Sequence, residues 1–182
     1  MYGLVNLSLQ TMVINKYGED SWKLIKNAAE VEDELFSRLT SYDDAITYRL
    51  VGAASKHLNI PTDEFLELFG LHWITVTALQ DYGELICAAG ANLREFLLQL
   101  PHFHTRVTLF LPKLQPPEFS CRELGEKEIE LKYFSRRAGL APFVLGVLRG
   151  VGHVFKTKVT VAQTSSFSES GQNYHKFDIT WS

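Results

Sequence analysis

Cysteine is scarce in this 182-residue chain, which carries only Cys87 and Cys121. That scarcity excludes a disulfide framework and a four-sulfur zinc site. Both thiols are expected to be small buried hydrophobes. Apolar runs are short and fall below the roughly 18 residues of a membrane span. The opening MYGLVNLSLQTMVINKYGED lacks a basic leader and a small-residue cleavage site, so no secretory signal is expected. Neither sign of charge dominates: 18 Lys and Arg stand against 21 Asp and Glu, a net charge of −3. Such a balance provides no phosphate-binding surface. These absences predict a cytoplasmic protein with neither nucleic acid nor a membrane as partner.

Hydrophobic residues make up 46% and charged residues 21% of the chain, which suits a single globular domain over residues 1–182. The first two-thirds read as helices. Val5, Leu9, Met12 and Val13 recur at helical spacing before a stop at Gly18. Asp20 or Ser21 is expected to cap a helix carrying Trp22, Leu24 and Ile25, and Ser41 or Asp43 one carrying Ile46, Leu50 and Val51. The adjacent acids Asp43 and Asp44 stand at that helix start, where carboxylates favour the dipole. Thr62 is the expected cap of a fourth, with the stripe Leu66, Phe69, Trp73 and Val76. Asn92 and Glu95 form a capping box. Pro101 is expected to start a separate helix, 101–111, ending near Pro112.

Beyond Pro112 the period falls to two. Ile129, Leu131 and Tyr133 alternate with charged residues in a half-buried strand over 128–134, paired with 118–123 through a turn at Gly125. A helix is expected over 140–154, then strands near 157–163 and 174–181 around a polar loop, Ser165–Gln172. The fold class is α+β: a helical half, then a four-stranded antiparallel sheet with one inserted helix.

The chain holds six histidines: His57, His72, His102, His104, His153 and His175. His102 and His104 form an HxH pair. On a helix, positions two apart point about 200° apart and cannot share one ion; a zinc site would need a strand here. More informative is YFSRRAGL. If the strand runs on through 137, Tyr133, Ser135 and Arg137 share a face about 7 Å apart. They would present a phenol, a hydroxyl and a guanidinium to a ligand's carboxylates, or else a polar face to solvent. Bulky apolar residues elsewhere (Val5, Trp73, Phe143, Leu145, Val147) would suit a slot for a large flat cofactor.

Taken in order, MYGLVN, PTDEFLELFG, NLREFL, PPEFSC and YFSRRAGLAPFVLG resemble the H-NOX family, the haem-nitric oxide/oxygen-binding domain that also regulates soluble guanylate cyclase. The resemblance implies haem b (iron protoporphyrin IX) between the helical and sheet parts. It implies His104, seventeen residues before Cys121, as the proximal iron ligand. Tyr133, Ser135 and Arg137 match the residues that hold the propionates, and Pro117 the proline that bends the macrocycle. Val5, Trp73, Phe143 and Val147 match haem-packing and distal positions. Two departures stand out. Leu100-Pro101 replaces the usual Leu-Asp before the ligand histidine, and Phe143 replaces the distal tyrosine of oxygen-binding members.

The resemblance therefore implies a sensor, not an enzyme. It would bind nitric oxide, and carbon monoxide, with poor oxygen binding. Loss of the His104–iron bond would signal to a partner in trans, a histidine kinase or a cyclic-diguanylate enzyme. Two rivals remain open at this point: a peroxidase-type haem enzyme, against which the apolar distal residues argue, and a haem-free module for a carboxylated apolar ligand.

Overall fold

The change of hydrophobic period near residue 115 divides the chain into a layer of helices and a sheet that has one further helix inserted in its sequence. The computed structural model describes residues 1–32, 35–110, 114–169 and 172–182. Helices α1 (Gly3–Tyr17), α2 (Glu19–Ala28), α3 (Asp44–Leu58) and α4 (Thr62–His72) lead into a π-helical segment, Trp73–Ala78. Helices α5 (Leu79–Ala89) and α6 (Leu93–Phe110) follow. Then come β1 (Glu118–Gly125), β2 (Glu128–Phe134), α7 (Ala141–Val154), β3 (Val159–Glu169) and β4 (Gln172–Trp181). The sheet is antiparallel in the order β1-β2-β4-β3. The α+β architecture is the one the sequence predicts.

Local chemistry explains most boundaries. The Asp43 carboxylate accepts from the Ala45 amide at 2.9 Å and starts α3. Asn92 accepts from the Glu95 amide, and the Glu95 carboxylate reaches back to the Ala91 amide, both at 2.9 Å. Two expected caps are corrected. Gly18, at φ 87°, ends α1 and is itself the N-cap of α2, so Asp20 and Ser21 lie inside the first turns. Pro61 precedes α4, and Thr62 is its first residue.

Three larger expectations also change. Pro101 does not start a helix; it lies within α6, whose expected end at Pro112 falls outside the described residues. Strand β2 stops at Phe134, so Ser135 and Arg137 are not on it. Residues assigned to a polar loop extend a hairpin instead: β3 runs to Glu169 and β4 begins at Gln172, with 170–171 outside the described residues. The partner strand completes the backbone hydrogen bonds there, so pairing does not need apolar alternation.

Two cores form. Leu9, Met12, Ile25, Leu50 and Phe65 pack the N-terminal helices together. Ile129, Leu131, Phe177 and Ile179 on the inner sheet face pack against Leu97 of α6 and Leu148 of α7. Both cores send residues to one cavity between helices and sheet: Leu66 and Phe69 from the first, Leu100 and Val144 from the second. Helices α4 and α7 cross at two glycines. A Cβ on Gly70 would lie 2.0 Å from the Phe143 carbonyl oxygen, and one on Gly146 would lie 1.9 Å from that of Glu67. Only hydrogen fits at either position, so the crossing is backbone against backbone.

Candidate functional site

The cavity has a volume of about 490 Å³. It is lined by nine of the residues singled out in the sequence: Val5, Trp73, His104, Pro117, Tyr133, Ser135, Arg137, Phe143 and Val147. Leu145, expected among them, does not line it and packs against the sheet-side core instead. They come from α1, the π-helical segment, α6, the approach to β1, β2 and its following loop, and α7.

His104 sits on α6, two residues after an exposed His102. The helix separates the pair, and this disposes of the chelating HxH reading. The His104 ring is wedged between aromatics. Phe119 stacks on it at 5.3 Å and 25°, and Phe103 meets it edge-on at 5.8 Å and 87°. Its Nδ1 is buried without a hydrogen-bond partner among the described residues. Burial holds the imidazole down at about 4, so it is neutral at physiological pH. The Leu100 carbonyl raises it part of the way back without the geometry of a formed bond. A neutral imidazole beside an apolar cavity is the protonation state a metal needs from histidine.

The oxygen-binding donors are brought together by a turn, which corrects the expected strand comb. The Arg137 amide donates to Ser135 Oγ at 3.0 Å, folding the chain back just past β2. The Arg137 guanidinium then donates to both carboxylate oxygens of Asp44, at 2.7 and 3.3 Å, and to the Gln115 carbonyl at 2.7 Å. Burial pushes the Tyr133 phenol above its ordinary value, and the bond with Ser135 works against that shift. The phenol is therefore a neutral donor.

Other lining residues are aromatic and aliphatic. Phe143 packs on Phe69 at 5.1 Å and on Trp73 at 6.5 Å. Trp73 begins the π-helical segment, a distortion that recurs at functional sites. In the expected stripe Leu66 and Phe69 are buried, whereas Val76 is 42% exposed because the wider turn rotates it outward.

Several contributors were missed from sequence. Asp43 and Asp44 both read as helix-start carboxylates, yet only Asp43 caps α3; Asp44 holds Arg137. Tyr48 lines the cavity and donates to the Ala138 carbonyl at 2.9 Å. Cys87 is exposed, contrary to expectation, because α5 turns that face to solvent. Among the described residues no helix is long and apolar enough to cross a membrane.

The comparisons agree with this geometry. The family described as Haem-NO-binding matches residues 2–163. Soluble guanylate cyclase gcy-35 of Caenorhabditis elegans is 32% identical over 165 residues, covering 88% of this chain and 24% of that protein. Soluble guanylate cyclase 89Db of Drosophila melanogaster is 21% identical over 155 residues, covering 85% and 23%. The chain thus spans about a quarter of the length of these relatives. Among solved structures, an H-NOX protein from S. oneidensis in the Fe(II)NO state superposes with a TM-score of 0.89 at 18% identity, covering 100% of this chain and 99% of that one. An oxygen-binding H-NOX domain in its oxygen complex gives 0.83 at 21%, covering 100% and 95%. The fold is shared with both, and by the match over most of its length this chain belongs to the haem-nitric-oxide-binding family of gas-sensing domains.

Proposed function

We propose that the cavity holds haem b and that the chain senses nitric oxide, and carbon monoxide, in preference to oxygen. The observation that carries this reading is the neutral His104 lining a cavity that Phe143, Val5 and Val147 also line. Bound haem would supply an iron that can take up a diatomic gas while a single imidazole holds it. His104 is the proposed ligand. Tyr133, Ser135 and Arg137 are the donors for the propionates, and arginine suits a carboxylate because its N–H groups form a planar fork. Asp44 presets the guanidinium and leaves further N–H groups for an incoming carboxylate. Pro117 is a stiff apolar contact beside the proximal side. Phe143 offers no hydroxyl, so it withholds the hydrogen bond that favours bound oxygen.

Signalling is proposed to begin when His104 is released on nitric oxide binding. The second half of α6 is then free to shift against the sheet, and the helical layer moves with it. The reader of that shift is an output module: a histidine kinase or cyclic-diguanylate enzyme in trans, or a cyclase module of the kind that the relatives' names describe. Replacing His104 by Gly tests the central claim. Reduced His104→Gly protein is expected to lose the five-coordinate histidine-bound spectrum and regain it with added imidazole. An unchanged spectrum without imidazole would remove His104 as ligand. Spectra of the reduced wild-type protein in air and under nitric oxide test the gas preference, and a stable oxygen complex would overturn it.

A further inference from the structure

A proline inside a helix leaves the carbonyl four residues earlier without its donor. In α6 that proline is Pro101 and the carbonyl is that of Leu97. The structure supplies a replacement: the Cys121 thiol of β1 donates to the Leu97 carbonyl at 3.1 Å. Two residues earlier on the same strand face, Phe119 stacks on the ring of His104. Strand β1 therefore grips α6 on both sides of the proline, before it at Leu97 and beyond it at His104.

We propose that Cys121 is a positioning residue: its thiol completes the hydrogen bonding that Pro101 removes and, together with Phe119, splints the helix segment that carries His104. The splint stands on geometry alone; its consequence for iron rests on the reading of His104 as ligand. Burial pushes the Cys121 thiol up to about 12, so it stays protonated and keeps its proton to donate. Only a chain with proline at 101 needs this bond. With any other residue there, the backbone N–H would serve the Leu97 carbonyl.

That dependence gives the test. Amide hydrogen exchange is measured over residues 98–107 in the haem-free full chain for wild type, Cys121→Val, Pro101→Ala and the double variant. Cys121→Val is expected to speed exchange there about two- to fivefold, the size expected from one modest hydrogen bond. In the Pro101→Ala background the same substitution is expected to change nothing. Cys121→Ser keeps a donor and should keep the protection. An equal effect of Cys121→Val in both backgrounds would reduce Cys121 to packing and overturn the proposal, as would no effect in either. An infrared S–H stretch supplies a check on unmutated protein. The Cys121 band should lie below that of exposed Cys87, and coincident bands would also overturn it. Failure of the splint would leave imidazole rescue at His104 untouched, so the two readings fall separately.

Discussion

The two walls of the cavity are built by opposite means. On the Phe143 side, α4 and α7 meet backbone to backbone through Gly70 and Gly146, with no side chain between them. On the His104 side, a proline-interrupted helix is held by a thiol, a stacked phenyl ring and, around the loop after β2, an arginine–aspartate pair. Close-packed backbones have no slack, because interiors resist even one added methylene. Side-chain contacts worth about 1 kcal/mol each are made and broken readily. For the proposed sensor this asymmetry would be useful: one wall would fix the shape that a gas meets, and the other could let go.

The largest expected effect comes from adding one methyl group to the rigid wall. Gly146→Ala places a Cβ 1.9 Å from the Glu67 carbonyl oxygen, and should cost about 3 kcal/mol in denaturant unfolding. Gly52→Ala is the control, since among the described residues nothing lies within 4 Å of where its Cβ would be; a helix-interior alanine there should stabilise by about 0.5–1 kcal/mol. Equal outcomes would mean that the crossing is not tight.

Next in size is a chemical change on the same wall that leaves its packing in place. Phe143→Tyr adds a hydroxyl to a ring already seated against Phe69 and Trp73. If Phe143 sets gas preference, oxygen affinity of the haem-loaded protein should rise at least about tenfold, the worth of one hydrogen bond to a charged acceptor. Oxygen titration of the reduced protein measures it.

The smallest effect belongs to the yielding wall and depends on pH. Burial pushes the Asp44 carboxyl up, but the Arg137 guanidinium and the Met1 ammonium outweigh it and hold the group below the ordinary aspartate value. The unfolded chain therefore takes up this proton at higher pH than the folded one. The stability contributed by the pair is present above the ordinary aspartate range and is lost as pH falls through it. Asp44→Asn should flatten that part of the acid limb in a denaturation series, modestly, because the pair is partly solvated.

How much of this was legible depends on the range of the interaction. The stripe Val5, Leu9, Met12 and Val13, the Asp43 cap, the Asn92–Glu95 box and the alternation of Ile129, Leu131 and Tyr133 all report contacts within a turn or across one pleat. Each was read correctly. The donors of YFSRRAGL were read correctly by type, but their arrangement was not, because the strand ends where Ser135 accepts from the Arg137 amide. The family motifs placed His104 without its partner Phe119. Asp44 looked like a second helix-start acid because nothing local reveals a guanidinium 93 residues away. Pro101 looked like a helix start because a proline's usual cost is computed without neighbours.

By itself the sequence determined the two-part fold and the kinds of apolar and donor-bearing side chain on offer, since these follow from side-chain type and local period, while the family motifs pointed to His104 and Pro117. The tertiary structure decided which carboxylate meets Arg137, that glycines bring α4 and α7 together, and that a strand can mend a broken helix. Such pairings join segments remote in the chain, and hydrogen-bond donors are interchangeable to an orphaned carbonyl. Only the packed chain selects which one arrives.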